Sequence, residues 1–160
     1  GIEVIYPGRY DKKHGRCEVH ETFTAEMMRV MRQQHGLTKG DKRYALMAHP
    51  ECKPEVVAEA DFTGSTSAMS RYIKDHHQLE KVFLATECEM SANLAAEYPS
   101  VEFVKACMAS CQHMRKITLD KILYSLENDV YDVNVPEDIA ARARVPIQRM
   151  IDFEKRRSGK

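Results

Sequence analysis

The apolar positions of this chain fall into short continuous runs separated by longer stretches with helical spacing. Runs rich in β-branched, aromatic and aliphatic residues predict short strands at residues 4–6, 44–48, 82–85 and 101–104. These runs are continuous rather than alternating, which is typical of strands buried on both faces.

The stretches between the runs predict helices over residues 24–34, 54–60, 67–74 and 91–98. The first of them ends near Gly36, and the second begins with Pro54 in its first turn. Short buried strands that alternate with helices form the β-α-β pattern. We therefore predict an α/β fold: a three-layer αβα sandwich with a short parallel sheet.

The pattern changes after Val104. Residues 118–126 predict an amphipathic helix, and Pro136 opens a last helix that carries acids at its start and Lys155-Arg156-Arg157 near its end, as the helix dipole favours. We expect these two helices to cover the sheet or an interface.

Composition narrows the class of protein. The chain has 160 residues, of which 43% are hydrophobic and 30% charged, and its 24 Lys and Arg balance its 24 Asp and Glu. This predicts a globular, soluble protein, and the balanced charge favours neither nucleic acid nor an anionic membrane as partner. The sequence shows no membrane span and no targeting signal, so we expect a cytoplasmic location.

The five cysteines do not have the spacing of a small disulfide scaffold, which favours a reducing compartment. Cys17 and Cys111 each lie at a break between apolar runs, at predicted loop-to-helix junctions, where thiols are often reactive or bind metals. Cys17-x-x-His20 resembles half a zinc site, and Cys107-x-x-x-Cys111 lacks the usual zinc or thioredoxin spacing. A zinc site, a redox module and an iron–sulfur cluster all remain open on these residues alone.

Polar residues follow the predicted strands. His49 and Glu51 come directly after residues 44–48, at the strand end where parallel sheets bind ligands, and could form an acid–base pair or anchor a carboxylate. A turn with a satisfied histidine and a solvated glutamate is the alternative.

Ser65 and Thr66 follow Gly64 at a predicted helix start, which suits a phosphate or carboxylate, although a plain N-cap is the simpler interpretation. We interpret Glu87 as a surface residue that starts the next helix, and Cys52 and Cys88 as packing thiols.

Taken in order, these motifs resemble the quinolinate synthase family, the iron–sulfur enzymes of NAD biosynthesis. The matching blocks are Cys17-Glu18-Val19-His20-Glu21-x-Phe23, His49-Pro50-Glu51-Cys52, Ala60-Asp61-Phe62-x-Gly64-Ser65-Thr66-Ser67, Thr86-Glu87-x-x-Met90 and Cys111-x-x-Met114-Arg115-Lys116-Ile117-Thr118-Leu119. The resemblance runs nearly from end to end of the chain.

The resemblance implies three αβα domains that each supply one cysteine to a [4Fe–4S] cluster with one open iron. Cys17 and Cys111 then match the ligands of the second and third domains. The implied reaction is a transferase-type condensation of iminoaspartate with dihydroxyacetone phosphate to quinolinate, with aspartate oxidase as the upstream partner. His49 and Glu51 match the family's substrate-site pair and Thr66 its substrate-binding threonine, with Ser65 and His20 as further candidates.

Family members are longer on the N-terminal side. We expect residues 1–20 to end a second αβα domain, residues 21–106 to form the third, and residues 107–160 to carry the Cys111 loop and covering helices. The first cluster cysteine has no counterpart here, so we expect the lone chain to be inactive unless another polypeptide supplies the missing part. A non-catalytic module that binds a small anion, and a zinc or redox thiol module, are the alternatives.

Overall fold

The computed structural model describes residues 17–105 and 109–159, and the chain divides into two compact units, Gly1–Arg115 and Lys116–Lys160. We call them the sheet unit and the helical unit. The strand predicted at residues 4–6 and the thiol of Cys107 lie outside the described residues. Cys111 belongs to the sheet unit, and the finer domain boundaries expected from the resemblance remain a prediction.

Over residues 17–105 and 109–115, the sheet unit contains one sheet of four parallel strands. They are β1 (Tyr44–Ala48), β2 (Phe62–Thr63), β3 (Lys81–Ala85) and β4 (Glu102–Val104), in the spatial order β2-β1-β3-β4. The strands predicted at 44–48, 82–85 and 101–104 are confirmed, with ends shifted by no more than one residue. The two-residue β2 was not predicted, because only its pairing with Met47 and Ala48 of β1 makes it a strand.

The described residues of this unit form five α-helices: α1 (Glu18–Glu21), α2 (Ala25–His35), α3 (Pro54–Glu59), α4 (Thr66–Asp75) and α5 (Glu89–Glu97). Local signals set their ends. The side chain of Thr24 accepts the backbone N–H of Met27 at the start of α2, and Gly36 ends that helix with a left-handed φ of 66°. The four predicted helices are confirmed, whereas the single-turn α1 is too short to show a period.

Side chains of the strands alternate between two cores. Leu46 and Phe83 face one cluster, which α1, α2 and α3 complete with residues such as Met28 and Val56. Ala45, Met47 and Leu84 face the other cluster, together with Met69 of α4 and Leu94 of α5. Helices therefore cover both faces of the sheet, and the predicted αβα sandwich is confirmed.

The strand order places a topological switch between β1 and β3. The chain leaves β1 towards β2 through α3, and it leaves β3 in the opposite direction towards β4 through α5. Because such crossovers are right-handed, the two helices lie on opposite faces and a crevice opens between the carboxyl ends of β1 and β3.

The helical unit contains α6 (Leu119–Asn128) and α7 (Glu137–Ser158), which confirm the last two predicted helices. The Thr118 side chain caps α6 by accepting the N–H of Lys121, and α7 has acids in its first turn and bases in its last. Neither helix contains a buried residue in the described structure. In the part of the chain that the structure describes, no helix combines the length and apolar character that crossing a membrane requires.

Candidate active site

A cavity of about 520 Å³ opens at the carboxyl edge of the sheet. Residues after three different strands line it: His49 after β1, Thr66 after β2 and Thr86 after β3. Cys17, His20 and Cys111 complete the set of predicted site residues that it brings together. Two other predicted site residues do not line the cavity. Glu51 is hydrogen-bonded to His20, which does, and Ser65 is next to Thr66 in the chain.

The single turn α1 carries two of the cavity residues. Cys17 is the N-cap residue of α1, and His20 lies one helical turn further on. Val19 and Phe23 are buried in the core, so the orientation of this short helix is fixed by packing rather than by its own hydrogen bonds.

His20 has hydrogen-bond partners at both ring nitrogens. Its Nδ1 lies 2.9 Å from Oε2 of Glu51 and its Nε2 lies 3.0 Å from Oγ1 of Thr86. A glutamate carboxylate only accepts, so Nδ1 of His20 donates to it, and in the neutral ring Nε2 accepts from the Thr86 hydroxyl. The His20 side chain is only 9% exposed, so this network holds its ring in one orientation.

His49 stacks on His20, with ring centroids 4.3 Å apart and ring planes 3° from parallel. Burial lowers the pKa of His49, and the neighbouring His20 lowers it further, while Glu51 acts in the opposite direction. Nδ1 of His49 accepts the backbone N–H of Glu51 at 3.3 Å. The neutral ring therefore carries its proton on Nε2, which can donate to a ligand.

Glu87 is a residue whose surroundings the sequence did not reveal. We interpreted it as a surface residue at the start of a helix, and it is half-buried with a carboxylate that accepts two backbone N–H groups. Oε1 accepts from Cys111 at 3.2 Å and Oε2 accepts from Glu89 at 2.7 Å. The available signal was position, since Glu87 follows β3 at the same edge as His49.

The remaining described thiols differ from those in the cavity. Cys52 is buried, its thiol donates to the carbonyl oxygen of Ala85 at 3.4 Å, and burial raises its pKa to about 11. Cys88 is half-buried next to Glu87. Cys17, Cys52 and Cys111 are free thiols.

The loop before α4 provides both an N-cap and a residue of the cavity lining. Ser65 accepts the N–H of Ala68 and so acts as an N-cap, while Thr66 lines the cavity. A Cβ on Gly64 would lie 2.8 Å from the Ala68 Cβ and from the Phe62 ring, which explains why glycine stands there.

Cys17, His20 and Glu51 can also be considered as metal ligands. One ligand atom from each of them lies within 4.8 Å of the other two. A sulfur, an imidazole nitrogen and a carboxylate oxygen at this spacing form a possible metal site among the described residues.

Comparison with known proteins identifies the family. The family model for Quinolinate synthetase A protein matches residues 9–152. This chain belongs to that family. The matched span contains every site residue described above, from Cys17 to Cys111, and the resemblance drawn from the motifs is confirmed.

Curated relatives agree with this assignment. Quinolinate synthase 1 of Mesorhizobium japonicum is 48% identical over 137 residues, which cover 86% of this chain and 40% of the relative. Quinolinate synthase of Xylella fastidiosa is 47% identical over 139 residues, covering 86% and 38%, and that of Agrobacterium fabrum is 44% identical over 139 residues, covering 87% and 38%. This quinolinate synthetase A family chain thus spans about two fifths of the length of the curated relatives it matches.

Proposed function

We propose that this chain forms the part of a quinolinate synthase that holds two cysteine ligands of a [4Fe–4S] cluster and the substrate-facing histidine and glutamate. The reaction condenses iminoaspartate with dihydroxyacetone phosphate to quinolinate, in de novo NAD biosynthesis in the cytoplasm. Aspartate oxidase is the proposed source of iminoaspartate. One observation carries the proposal: Cys17 and Cys111, far apart in sequence, line the same cavity as His20, His49 and Thr66.

The chemistry of the candidate ligand atoms supports an iron–sulfur cluster. Cys17 and Cys111 are half-buried, and soft thiolates are the ligands that such clusters require. Neither Cys52 nor Cys88 lines the cavity, and Cys52 is held as a protonated thiol. In our proposal the third thiolate comes from the part of the relatives that this chain does not match, or from a second polypeptide. When bound, the cluster supplies an open iron that acts as a Lewis acid on a substrate oxygen.

Proton transfer is assigned to Glu51 and His49. Glu51 has a side chain that is 57% exposed, so a substrate can reach its carboxylate, and His20 holds one carboxylate oxygen at 2.9 Å. His49 presents Nε2–H as a donor for a carbonyl or carboxylate oxygen of the substrate. We assign to His20 the task of fixing Glu51, because both of its own ring nitrogens already have partners.

The anionic groups of the substrates are assigned to the start of α4. This ten-residue helix begins at Thr66, and its first backbone N–H groups and positive dipole end favour phosphate or carboxylate. The exposed Thr66 hydroxyl supplies a further donor at the cavity, with Ser65 as its neighbour.

The test is anaerobic reconstitution of the purified chain with iron and sulfide, followed by iron analysis and visible absorbance. Cys17→Ser and Cys111→Ser are expected to abolish cluster loading, whereas Cys52→Ser and Cys88→Ser are the matched controls and should load normally. Equal loss in all four variants would contradict the ligand assignment.

Quinolinate formation is measured on the same samples. We expect no turnover from the lone chain and restored turnover when a polypeptide corresponding to the unmatched N-terminal part of a relative is added. Robust turnover by the lone chain would show that the missing ligand is not required.

A zinc site is the second candidate, favoured by the close approach of Cys17, His20 and Glu51. Zinc accepts sulfur, nitrogen and oxygen ligands together, and it gives no visible absorbance. A colourless preparation with one zinc per chain would favour this candidate, and a chain with neither metal nor colour would favour an anion-binding module at Thr66.

A further inference from the structure

The segment that carries Cys111 is tied to the start of α5 by two hydrogen bonds. The backbone N–H of Cys88 donates to the carbonyl oxygen of Ala109 at 3.0 Å. The backbone N–H of Cys111 donates to Oε1 of Glu87 at 3.2 Å. The first bond fixes the entry to the segment, and the second fixes the backbone of the cysteine itself.

Residues 109–111 have no regular secondary structure, so their backbone N–H groups have no helix or strand partner. Glu87 supplies the acceptor for the Cys111 N–H, and its own position is well fixed. It follows β3, whose last residues are buried, and its second oxygen is held by the N–H of Glu89 at 2.7 Å. A carboxylate fixed in this way is a strong acceptor in a defined position.

We propose that Glu87 is a positioning residue that holds Cys111 at the cavity. The carboxylate fixes the Cys111 backbone, and the Cys111 Sγ then lies within 3.5 Å of the backbone nitrogen of Met114 and lines the cavity. The proposal deepens the proposed function, in which Cys111 is a cluster ligand, and it rests on that function for its consequence.

The competing role for Glu87 is stabilisation of α5 by a negative charge near its N-terminus. Two variants separate the roles. Glu87→Asp keeps the charge and the short reach to Glu89, and it is one methylene too short to hold Cys111. Glu87→Gln loses the charge and has one side-chain oxygen, which can accept from Cys111 when the bond to Glu89 is given up.

The first measurement is amide hydrogen exchange at Cys111 in the metal-free full chain. Glu87→Ala and Glu87→Asp are expected to exchange roughly tenfold to hundredfold faster than the unsubstituted chain, as loss of a hydrogen bond to a charged acceptor implies. Glu87→Gln should retain most of the protection. Glu55→Ala, which removes an exposed glutamate from the first turn of α3, is the matched control and should change nothing.

Slow exchange in Glu87→Asp with fast exchange in Glu87→Gln would overturn the proposal in favour of the helix-stabilising role. Unchanged exchange in Glu87→Ala would overturn it outright. Protection of the β1 and β3 amides in each sample shows that the sheet is folded, and if Glu87→Ala fails to fold, the comparison of the Asp and Gln variants decides.

The second measurement is iron release to a chelator after anaerobic reconstitution. Glu87→Asp should lose iron at least several-fold faster than Glu87→Gln and Glu55→Ala, while equal rates would contradict a positioning role towards the cluster. Should the unsubstituted chain take up no iron, the cluster function fails for this chain, and amide exchange still decides whether Glu87 holds Cys111.

Discussion

The two ends of the parallel sheet both carry charged side chains, and they use them differently. At the amino end, Lys81 pairs with Glu102 at 3.2 Å, and Arg43 pairs with Asp41 at 2.8 Å; each pair joins one exposed and one half-buried side chain. At the carboxyl end, the nearly buried His20 connects Thr86 to Glu51 beside a cavity.

The two ends differ in how far their polar side chains are exposed to solvent. Exposed ion pairs exchange partners with water and contribute little, whereas a polar group removed from water must keep its partner or the folded state loses stability. The carboxyl end is therefore where a single side chain can be fixed well enough for chemistry. Four predictions test this contrast and are given in order of decreasing effect.

Labelling of Cys52 should show the largest effect. With a pKa of about 11, the buried thiol has a thiolate fraction at pH 8 about a hundredfold below that of an ordinary cysteine. Iodoacetamide labelling followed by peptide mass spectrometry should therefore find Cys52 modified far more slowly in the folded chain than in the urea-unfolded chain. Similar rates in the two states would show that the carboxyl end is open to solvent at this residue.

Thr86→Val should destabilise the chain by about 1–3 kcal/mol, because it leaves Nε2 of the buried His20 without its partner. Valine keeps the shape of threonine, so packing is retained. The free energy of unfolding in urea is the measurement, and Thr86→Ser, which keeps the hydroxyl, is the control. If the valine and serine variants are equally stable, the His20 network is not the constraint that the geometry indicates.

His49 should make stability depend on pH. Burial and the neighbouring His20 keep its pKa in the folded chain below the ordinary 6.5. Between that lowered pKa and 6.5 the unfolded chain binds more protons, so the free energy of unfolding should decrease as the pH falls through this window. In urea titrations from pH 7 to 5, His49→Asn should make the free energy of unfolding depend less steeply on pH. An identical pH dependence would show that His49 is solvated in the folded chain.

The amino end should give the smallest effect. Glu102→Gln breaks the pair with Lys81 at the exposed side of β4, and the expected change in the free energy of unfolding is about 0–1 kcal/mol. High salt should remove even this difference. A larger loss would mean that the two ends of the sheet are less different than their exposure suggests.

Local signals were sufficient to predict most of the fold. The apolar run at 44–48 became β1 with the same ends, and Thr24 and Gly36 bounded α2 as a cap and a left-handed terminus. Motif order was sufficient for the family, because the cysteine, histidine and glycine blocks occur together and in sequence. Strand β2 and the single-turn helix α1 were not predicted, since both are too short to show a periodic hydrophobic pattern. Pairing with β1 defines β2, and packing in the core holds α1.

The α/β class and the positions of the longer elements could be predicted from the sequence alone, because they depend on local periodicity. Residue type and motif were sufficient to select the candidate residues Cys17, His49, Glu51, Thr66 and Cys111. Which of these side chains lie close together became clear only from the folded structure. The order β2-β1-β3-β4 opens a crevice after β1 and β3, and it turns Thr86 and Glu87 into partners of His20 and Cys111. A hydrogen bond between residues far apart in the chain has no local signature in the sequence. It exists only after packing of the sheet has excluded water and fixed both of its ends.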